Sequence, residues 1–317
     1  MKNILITGGA GFIGSNLAFE LQNRYPKAVI TVIDDFRVGH FKNLIGFKGD
    51  VMAYDVADSS WFPILQRKPI DVIFHMASIT DTTVHDQKKM IYDNVEGFRL
   101  ILDLATAKTA KMVYASSAAV YGSQAEQMKE EDGGIPNNVY GFSKWALENL
   151  AREYAGRIKP VGLRFFNVFG PREYYKGAAA SMTYQLYLQM KSGKRPRIFK
   201  SGEQKRDFIY VKDVVDGIIL AANAKESTVL NIGTGKATSF NEVVSALNEA
   251  LRTKLEPDYF DNPYDFYQDF TQADISHTKA AIGFEPRYST REGILDYVKN
   301  YLLPDAEKSK RLVPPDI

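Results

Sequence analysis

The 317-residue sequence contains no cysteine. That absence excludes disulfides, thiolate metal sites and a cysteine nucleophile. Histidine is scarce, and the spacing of His40, His75, His85 and His277 fits no metal-ligand pattern. Long apolar runs are missing, and none approaches the ~20 residues of a membrane-crossing helix. Charge of one sign is lacking too: Lys and Arg number 40, Asp and Glu 38, for a net +2. The nearest thing to a basic cluster, KSGKRPRIFK (Lys191–Lys200), reads as a solvated loop. Bulk electrostatics therefore give no ground for a nucleic-acid partner. After Met1-Lys2 a short apolar run ends at a glycine cluster, unlike a signal peptide. With no membrane segment, the expected setting is the cytoplasm.

What is present is patterned. Hydrophobic residues make up 45% and charged residues 25%, proportions that allow a sizeable core. NILIT (Asn3–Thr7), VITVID (Val29–Asp34), DVIFHMA (Asp71–Ala77), KMVYASS (Lys111–Ser117) and VGLRFFNV (Val161–Val168) read as buried strands. Helical patterns fall between them, around Asn94–Lys108 and Tyr140–Arg157. The alternation predicts an α/β fold, a doubly wound parallel sheet with ligands at the carboxyl ends of its strands. Beyond FGPRE (Phe169–Glu173) the pattern changes: a helix over Ala178–Met190, a loop, then a brief return at RDFIYVKDVVDGI and VLNIGTG. The expected organisation is a dinucleotide-binding domain over 1–168, rejoined by 206–238. A smaller C-terminal lobe follows from 169–205 and 239–317.

TGGAGFIGS (Thr7–Ser15) places Gly8, Gly11 and Gly14 as G-x-x-G-x-x-G between a strand and a helix. The first glycine permits a tight turn, the second lets backbone approach a pyrophosphate, and the third lets helix and strand pack closely. The helix N-terminus offers N–H groups and a positive dipole end to the phosphates. Such a site wants a carboxylate about 20 residues on for the ribose hydroxyls. Asp34 ends VITVID and fills that role. Arg37, His40 and Lys42 follow and suit a 2′-phosphate, so NAD and NADP both stay open. Asp55 in YDVAD is a candidate for the adenine ring or a plain surface carboxylate.

VYGFSK sets Tyr140 and Lys144 four residues apart, on one helix face. A nearby ammonium stabilises phenolate, so such a tyrosine can exchange a proton with an alcohol or carbonyl. A second Tyr-x-x-x-Lys, Tyr187/Lys191, reads as solvated helix surface. Ser117, ending the strand before VYGFSK, is either a hydrogen-bond partner for the reacting oxygen or a turn-capping serine.

Together TGGAGFIGS, FHMA, DNVEG, YASSAAVYG, VYGFSK, LRFFNVFGPRE, RDFIYVKDV and NIGTG resemble, in order, the extended short-chain dehydrogenase/reductases that act on nucleotide sugars. The resemblance implies a tightly bound NADP or NAD that is not consumed, a nucleotide-sugar substrate and a homo-oligomer. It places the cofactor against Gly8, Gly11, Phe12, Ile13, Gly14, Asp34, Asp35, Lys42 and Asp55. Met76, Ala77, Ser78, Asn94, Tyr140, Lys144, Val168 and Lys176 complete that set, with Asn94 joining a Ser–Tyr–Lys network.

Within the family, FNVFGPREYYKGAAASM, FKSGEQKRDFIYV, YQDFTQADI and DTTVHDQ resemble the ADP-glyceromanno-heptose 6-epimerases. By that resemblance Tyr140 and Lys176 are the two acid/base groups that inversion at C6″ requires, with Ser117 and Lys144 beside them. Ser117, Asn167, Ala178, Gln185, Phe199, Lys200, Ser201, Gly202, Arg206 and Tyr267 face the substrate. Arg206 suits the diphosphate, because its fork binds phosphate oxygens in pairs. Ala118 and Ala119 stand where the sugar dehydratases carry Asp-Glu. The rival activities are a related 4-epimerase or dehydrogenase on the same scaffold. A non-catalytic dinucleotide-binding regulator is the rival from another class.

Overall fold

The fold is described from a computed structural model, for residues 1–80, 86–124, 126–262 and 269–304. The strands β1 (Asn3–Thr7), β2 (Val29–Asp34), β3 (Asp50–Ala53), β4 (Val72–His75), β5 (Lys111–Ser117) and β6 (Pro160–Phe165) lie in one sheet. Beyond it come β7 (Asn167–Phe169), β8 (Arg197–Phe199), β9 (Lys205–Arg206) and β10 (Phe208–Tyr210). Then β11 (Thr228–Ile232) returns to the large sheet, giving the order β11-β6-β5-β4-β1-β2-β3. Every pairing within it is parallel. Strand order reverses between β1 and β4, the crevice where such sheets take their ligands.

The first helices are α1 (Phe12–Arg24), α2 (Phe62–Gln66), α3 (Gln87–Ile91), α4 (Gly97–Lys108) and α5 (Val139–Tyr154). They cover the sheet on both faces, as the alternation within each strand requires. On β1, Ile4 and Ile6 join a core with Leu17 and Leu21 of α1, while Leu5 joins one with Phe98 and Ile101 of α4 and Leu147 of α5. Val211–Ala221 forms α7, after α6 (Met182–Lys191), and its buried Val214 and Ile218 belong to the α1 side.

Several boundaries differ from the sequence reading. β3 is exposed at three of its four residues, and its short DVMA run lacks the longer apolar signal of its neighbours. The 161–168 run is broken at Phe166: β7 leaves the sheet and pairs in parallel with β10. The first run past the dinucleotide half is not one helix over 178–190. Tyr174–Ala179 is a tight turn kinked at Gly177, and α6 starts only at Met182, capped by Ser181. Tyr187 is a core residue rather than solvated surface, since it lies on the buried face of α6 with Leu186 and Met190. The helix expected from Asn94 starts earlier, and α3 and α4 are joined by a π-helical turn at Tyr92–Glu96.

The remaining elements are β12 (Thr238–Ser239), β13 (Asp258–Phe260), α8 (Phe240–Leu251), α9 (Ser276–Ile282) and α10 (Thr290–Tyr297). β13 pairs with β8 and β12 with β9, and α8 packs against α6 and α10. Among the described residues no helix is long and apolar enough to cross a membrane.

Candidate active site

The glycine loop is built as tightly as a turn can be. Gly8 has φ +67°, and a β-carbon there would lie 2.6 Å from the Ala77 nitrogen, so the ends of β1 and β4 touch through backbone. A β-carbon on Gly14 would lie 2.1 Å from the Gly8 carbonyl oxygen. Gly11 caps α1 without any side-chain hydrogen bond, which leaves the first-turn N–H groups to another acceptor. They open into a cavity of about 360 Å³. Backbone stripped of side chains, an uncapped 13-residue helix and a carboxylate at the end of β2 fit a dinucleotide.

Gly8, Gly11, Phe12, Ile13, Gly14, Asp34, Asp35, Asp55, Met76, Ala77, Ser78, Asn94 and Lys176 all line this cavity. Asp34 is fixed by two backbone donors: Ala10 N–H at 2.8 Å and Phe36 N–H at 2.9 Å. Asn94 sits in the π-helical turn, a local widening often found at functional sites. Its Oδ1 accepts from the Ile79 N–H at 2.8 Å, and its Nδ2 donates to Ser143 Oγ at 2.9 Å. Ser143 in turn donates to the Tyr140 carbonyl. Asn94 thus ties the strand-end loop after β4 to the start of α5.

Lys42, Tyr140, Lys144, Ser117 and Val168 do not line that cavity. Lys42 is exposed on the turn after His40. Tyr140 is half-buried in the first turn of α5. Burial pushes its phenol up, and a hydrogen bond with Ser117 pulls it back. Ser117 also accepts from the Ala119 N–H at 3.1 Å, so it caps a turn as well. Lys144 is buried, its Nζ donating to the Ala115 carbonyl at 2.9 Å and standing 5.8 Å from the Tyr140 ring centroid. Burial brings Lys144 down to about 7, against the pull of Glu148 one turn on. The Tyr140 phenol is therefore raised, not lowered as expected: dehydration of the hydroxyl dominates, and the opposing pull comes from Ser117 rather than from the Lys144 ammonium.

Lys176 reaches the cavity from a strap after β7. Its Nζ lies 5.6 Å from the Phe12 ring centroid, and burial lowers its pKa while the Glu173 carboxylate opposes the shift. The strap is closed by Glu173, whose carboxylate accepts from Gly170 N–H, Ser181 N–H and Ser181 Oγ. Asn16 Nδ2 donates to the Pro171 carbonyl and Asn43 Nδ2 to that of Arg172. The His40 and Tyr175 rings stack at 4.0 Å. Sequence reasoning missed Glu173, Asn43 and Asp93. The Gly-Pro-Arg-Glu run was a signal for Glu173 and the DNVEG run for Asp93; Asn43 carries none.

The residues expected to face substrate fall into two groups. Gln185 donates to the carbonyls of Ala178 and Ala180 beside the strap. Phe199 packs on Phe260, Lys200 pairs with Asp261, Ser201 accepts from Asn241, and Gly202 closes a turn on Phe199. Arg206 is buried in β9, its Nη1 donating to the Lys205 carbonyl. Asn167 accepts from Thr271 in β7. Tyr267, the tyrosine-rich stretch around it and most of DTTVHDQ lie outside the described residues. Among the described residues no three His, Asp or Glu side chains are placed to hold a metal ion.

The model of the NAD dependent epimerase/dehydratase family matches residues 4–233. The chain belongs to that family. An ADP-L-glycero-D-manno-heptose-6-epimerase of Brachyspira hyodysenteriae is 35% identical over 308 residues, covering 93% of this chain and 96% of that one. The solved ADP-L-glycero-D-manno-heptose-6-epimerase of Helicobacter pylori is 41% identical, with TM-score 0.89 over 96% of both chains. A UDP-N-acetylglucosamine 4-epimerase from Methanobrevibacter ruminantium superposes with TM-score 0.88 at 27% identity, over 96% of this chain and 99% of that one. The family is NAD-dependent, and the glycine-loop cavity has the lining that a dinucleotide fits.

Proposed function

We propose that this epimerase-family protein inverts C6″ of ADP-glycero-manno-heptose, with a tightly held NAD(P). The observation that carries the reading is Lys176. It enters the glycine-loop cavity from a strap, on a chain 35% and 41% identical to two heptose 6-epimerases. The dinucleotide, which the glycine loop and Asp34 would hold, would supply reversible hydride exchange at the carbinol carbon. The chain supplies two proton-handling groups from separate elements, α5 and the strap. Tyr140 moves the hydroxyl proton on one side of the carbonyl oxygen, and Lys176 does so on the other. Burial lowers the proton affinity of Lys176 against the pull of the Glu173 carboxylate, which suits a group that exchanges a proton with substrate. Lys144 holds the Tyr140 end by its anchor on the Ala115 carbonyl, and Ser117 orients the phenol.

In this reading residues 1–168 with 206–238 hold the dinucleotide, and 169–205 with 239–317 hold the sugar nucleotide. Ala178, Gln185, Phe199 to Gly202 and Tyr267 contact the sugar nucleotide from the second group, and Ser117, Asn167 and Arg206 contact it from the first. The protein works in the cytoplasm as a homo-oligomer. The test is stereochemical: incubate purified protein with ADP-D-glycero-D-manno-heptose, add no cofactor, and follow C6″ by NMR. Conversion to the L-glycero epimer is expected, and Lys176→Ala should abolish it. No conversion, even with NAD or NADP added, would move the assignment to another nucleotide sugar.

A further inference from the structure

The turn at Phe41–Leu44, after β2, touches both the glycine loop and the strap that carries Lys176. Asn43 is buried there, and its Nδ2 donates to the Ala10 carbonyl at 3.0 Å and to the Arg172 carbonyl at 3.1 Å. Both acceptors are carbonyls, so only the NH2 end of the amide suits them, and each takes one hydrogen. The His40 N–H reaches the same Ala10 carbonyl at 3.1 Å. Ala10 belongs to the glycine loop, and its own N–H donates to Asp34. On the strap side, Arg172 Nη1 donates back to the Asn43 carbonyl, and its guanidinium lies 4.0 Å from the Phe19 ring centroid on α1. Arg172 holds φ +73°, a left-handed conformation that a non-glycine residue keeps only under restraint. The His40–Tyr175 stack closes the junction one residue before Lys176. The Lys176 N–H donates to the Glu173 carbonyl at 3.0 Å, so a single turn separates the junction from the lysine.

We propose that Asn43 is a positioning residue for Lys176: its two amide hydrogens register the strap against the glycine loop. The loop that lines the dinucleotide cavity then also sets where the lysine enters it. A side chain with a single donor hydrogen could tie one carbonyl and not both. Lys176 Nζ ends a flexible four-carbon stem, so its place over Phe12 depends on where the strap backbone lies. Proton exchange needs the group within hydrogen-bond reach, and a displacement of about 1 Å costs on the order of a hundredfold in rate. The strap has other ties, each to a different element. Glu173 fastens it to Ser181 at the start of α6, and Asn16 joins Pro171 to the Phe12 carbonyl in α1. Asn43 ties it to the loop itself. If the Asn43 amide is lost, Ala10 keeps the His40 N–H, so the loss falls on the strap rather than on the loop.

The inference rests on the acid/base reading of Lys176, and its test has one readout that needs no substrate. Asn43→Leu, made in the full chain, keeps much of the volume and removes both donors. In nucleotide-free protein, amide hydrogen exchange over 173–179 should quicken about tenfold or more, while β1 and β4 exchange as in wild type. With ADP-D-glycero-D-manno-heptose, kcat should fall about tenfold or more while KM changes by less than about threefold. His40→Asn keeps an acceptor for the Lys42 N–H but removes the Tyr175 stack. It should move both readouts the same way by a smaller amount, and it carries the test should Asn43→Leu not fold. Unchanged strap exchange, exchange that rises equally in β1 and β4, or a faster strap with wild-type kcat would each overturn the inference. Should wild type convert no heptose, the reading of Lys176 falls, and strap exchange alone decides whether Asn43 registers the strap.

Discussion

Arg164 and Glu148 form an ion pair that solvent does not reach, with Nη2 2.7 Å from Oε2 and Nε 2.9 Å from Oε1. Ser116 donates to the same carboxylate at 2.6 Å, and Arg164 Nη1 donates to the Glu130 carbonyl. The pair fastens α5 to β5 and β6 one turn beyond Lys144, so it holds the helix that carries Tyr140.

Breaking that pair leaves a buried charge alone. Arg164→Met should therefore destabilise the chain by about 3–5 kcal/mol, read from urea unfolding. The double variant Arg164→Met, Glu148→Leu should recover much of the loss, because replacing both charges removes the orphan. A single variant within about 0.5 kcal/mol of wild type would show that the carboxylate is satisfied without its partner.

Lys144 makes stability depend on pH. Its folded value is about 7 against the ordinary 10.5. Between those values the unfolded chain still holds the proton and the folded chain does not, so the lysine's contribution rises with pH. Unfolding free energies of nucleotide-free wild type and Lys144→Met should diverge in favour of wild type as pH climbs from 7 towards 10. A difference that stays flat across that window would mean the buried amine keeps its ordinary affinity for protons.

Gly14 is the tightest contact of the loop. Gly14→Ala places a methyl 2.1 Å from the Gly8 oxygen, and the obstacle is backbone rather than a flexible side chain. The turn must open, and the phosphate cradle opens with it. Dinucleotide affinity should fall by at least about tenfold, about 1.4 kcal/mol, in calorimetric titration. Gly156→Ala, whose β-carbon meets nothing within 4 Å, is the control expected to bind normally.

Much of this was written locally. β1, β2 and β5 occupy the runs Asn3–Thr7, Val29–Asp34 and Lys111–Ser117, because a strand buried on both faces reads as continuous apolar residues. The glycine spacing and the Asp34 offset are also local, since phosphate and ribose sit at fixed distances along one β-α-β unit. Where the signal is weak the reading slipped. β3 is mostly exposed and carries only the short apolar run Val51–Ala53, and Phe166 hides a break that only strand pairing reveals.

The sequence by itself determined the doubly wound sheet, the phosphate loop and the Tyr140–Lys144 face, each set by period or spacing within a short stretch. Tertiary structure alone decided the partners that set charge and reach. It placed Lys176 over Phe12, three carboxylates on Arg37, and Glu148 between Lys144 and Arg164. Apart from Arg37–Asp35 and Lys144–Glu148, those pairings join residues distant in the chain. Burial then shifts the proton affinities of Tyr140, Lys144 and Lys176, and no residue carries its own dehydration in its name.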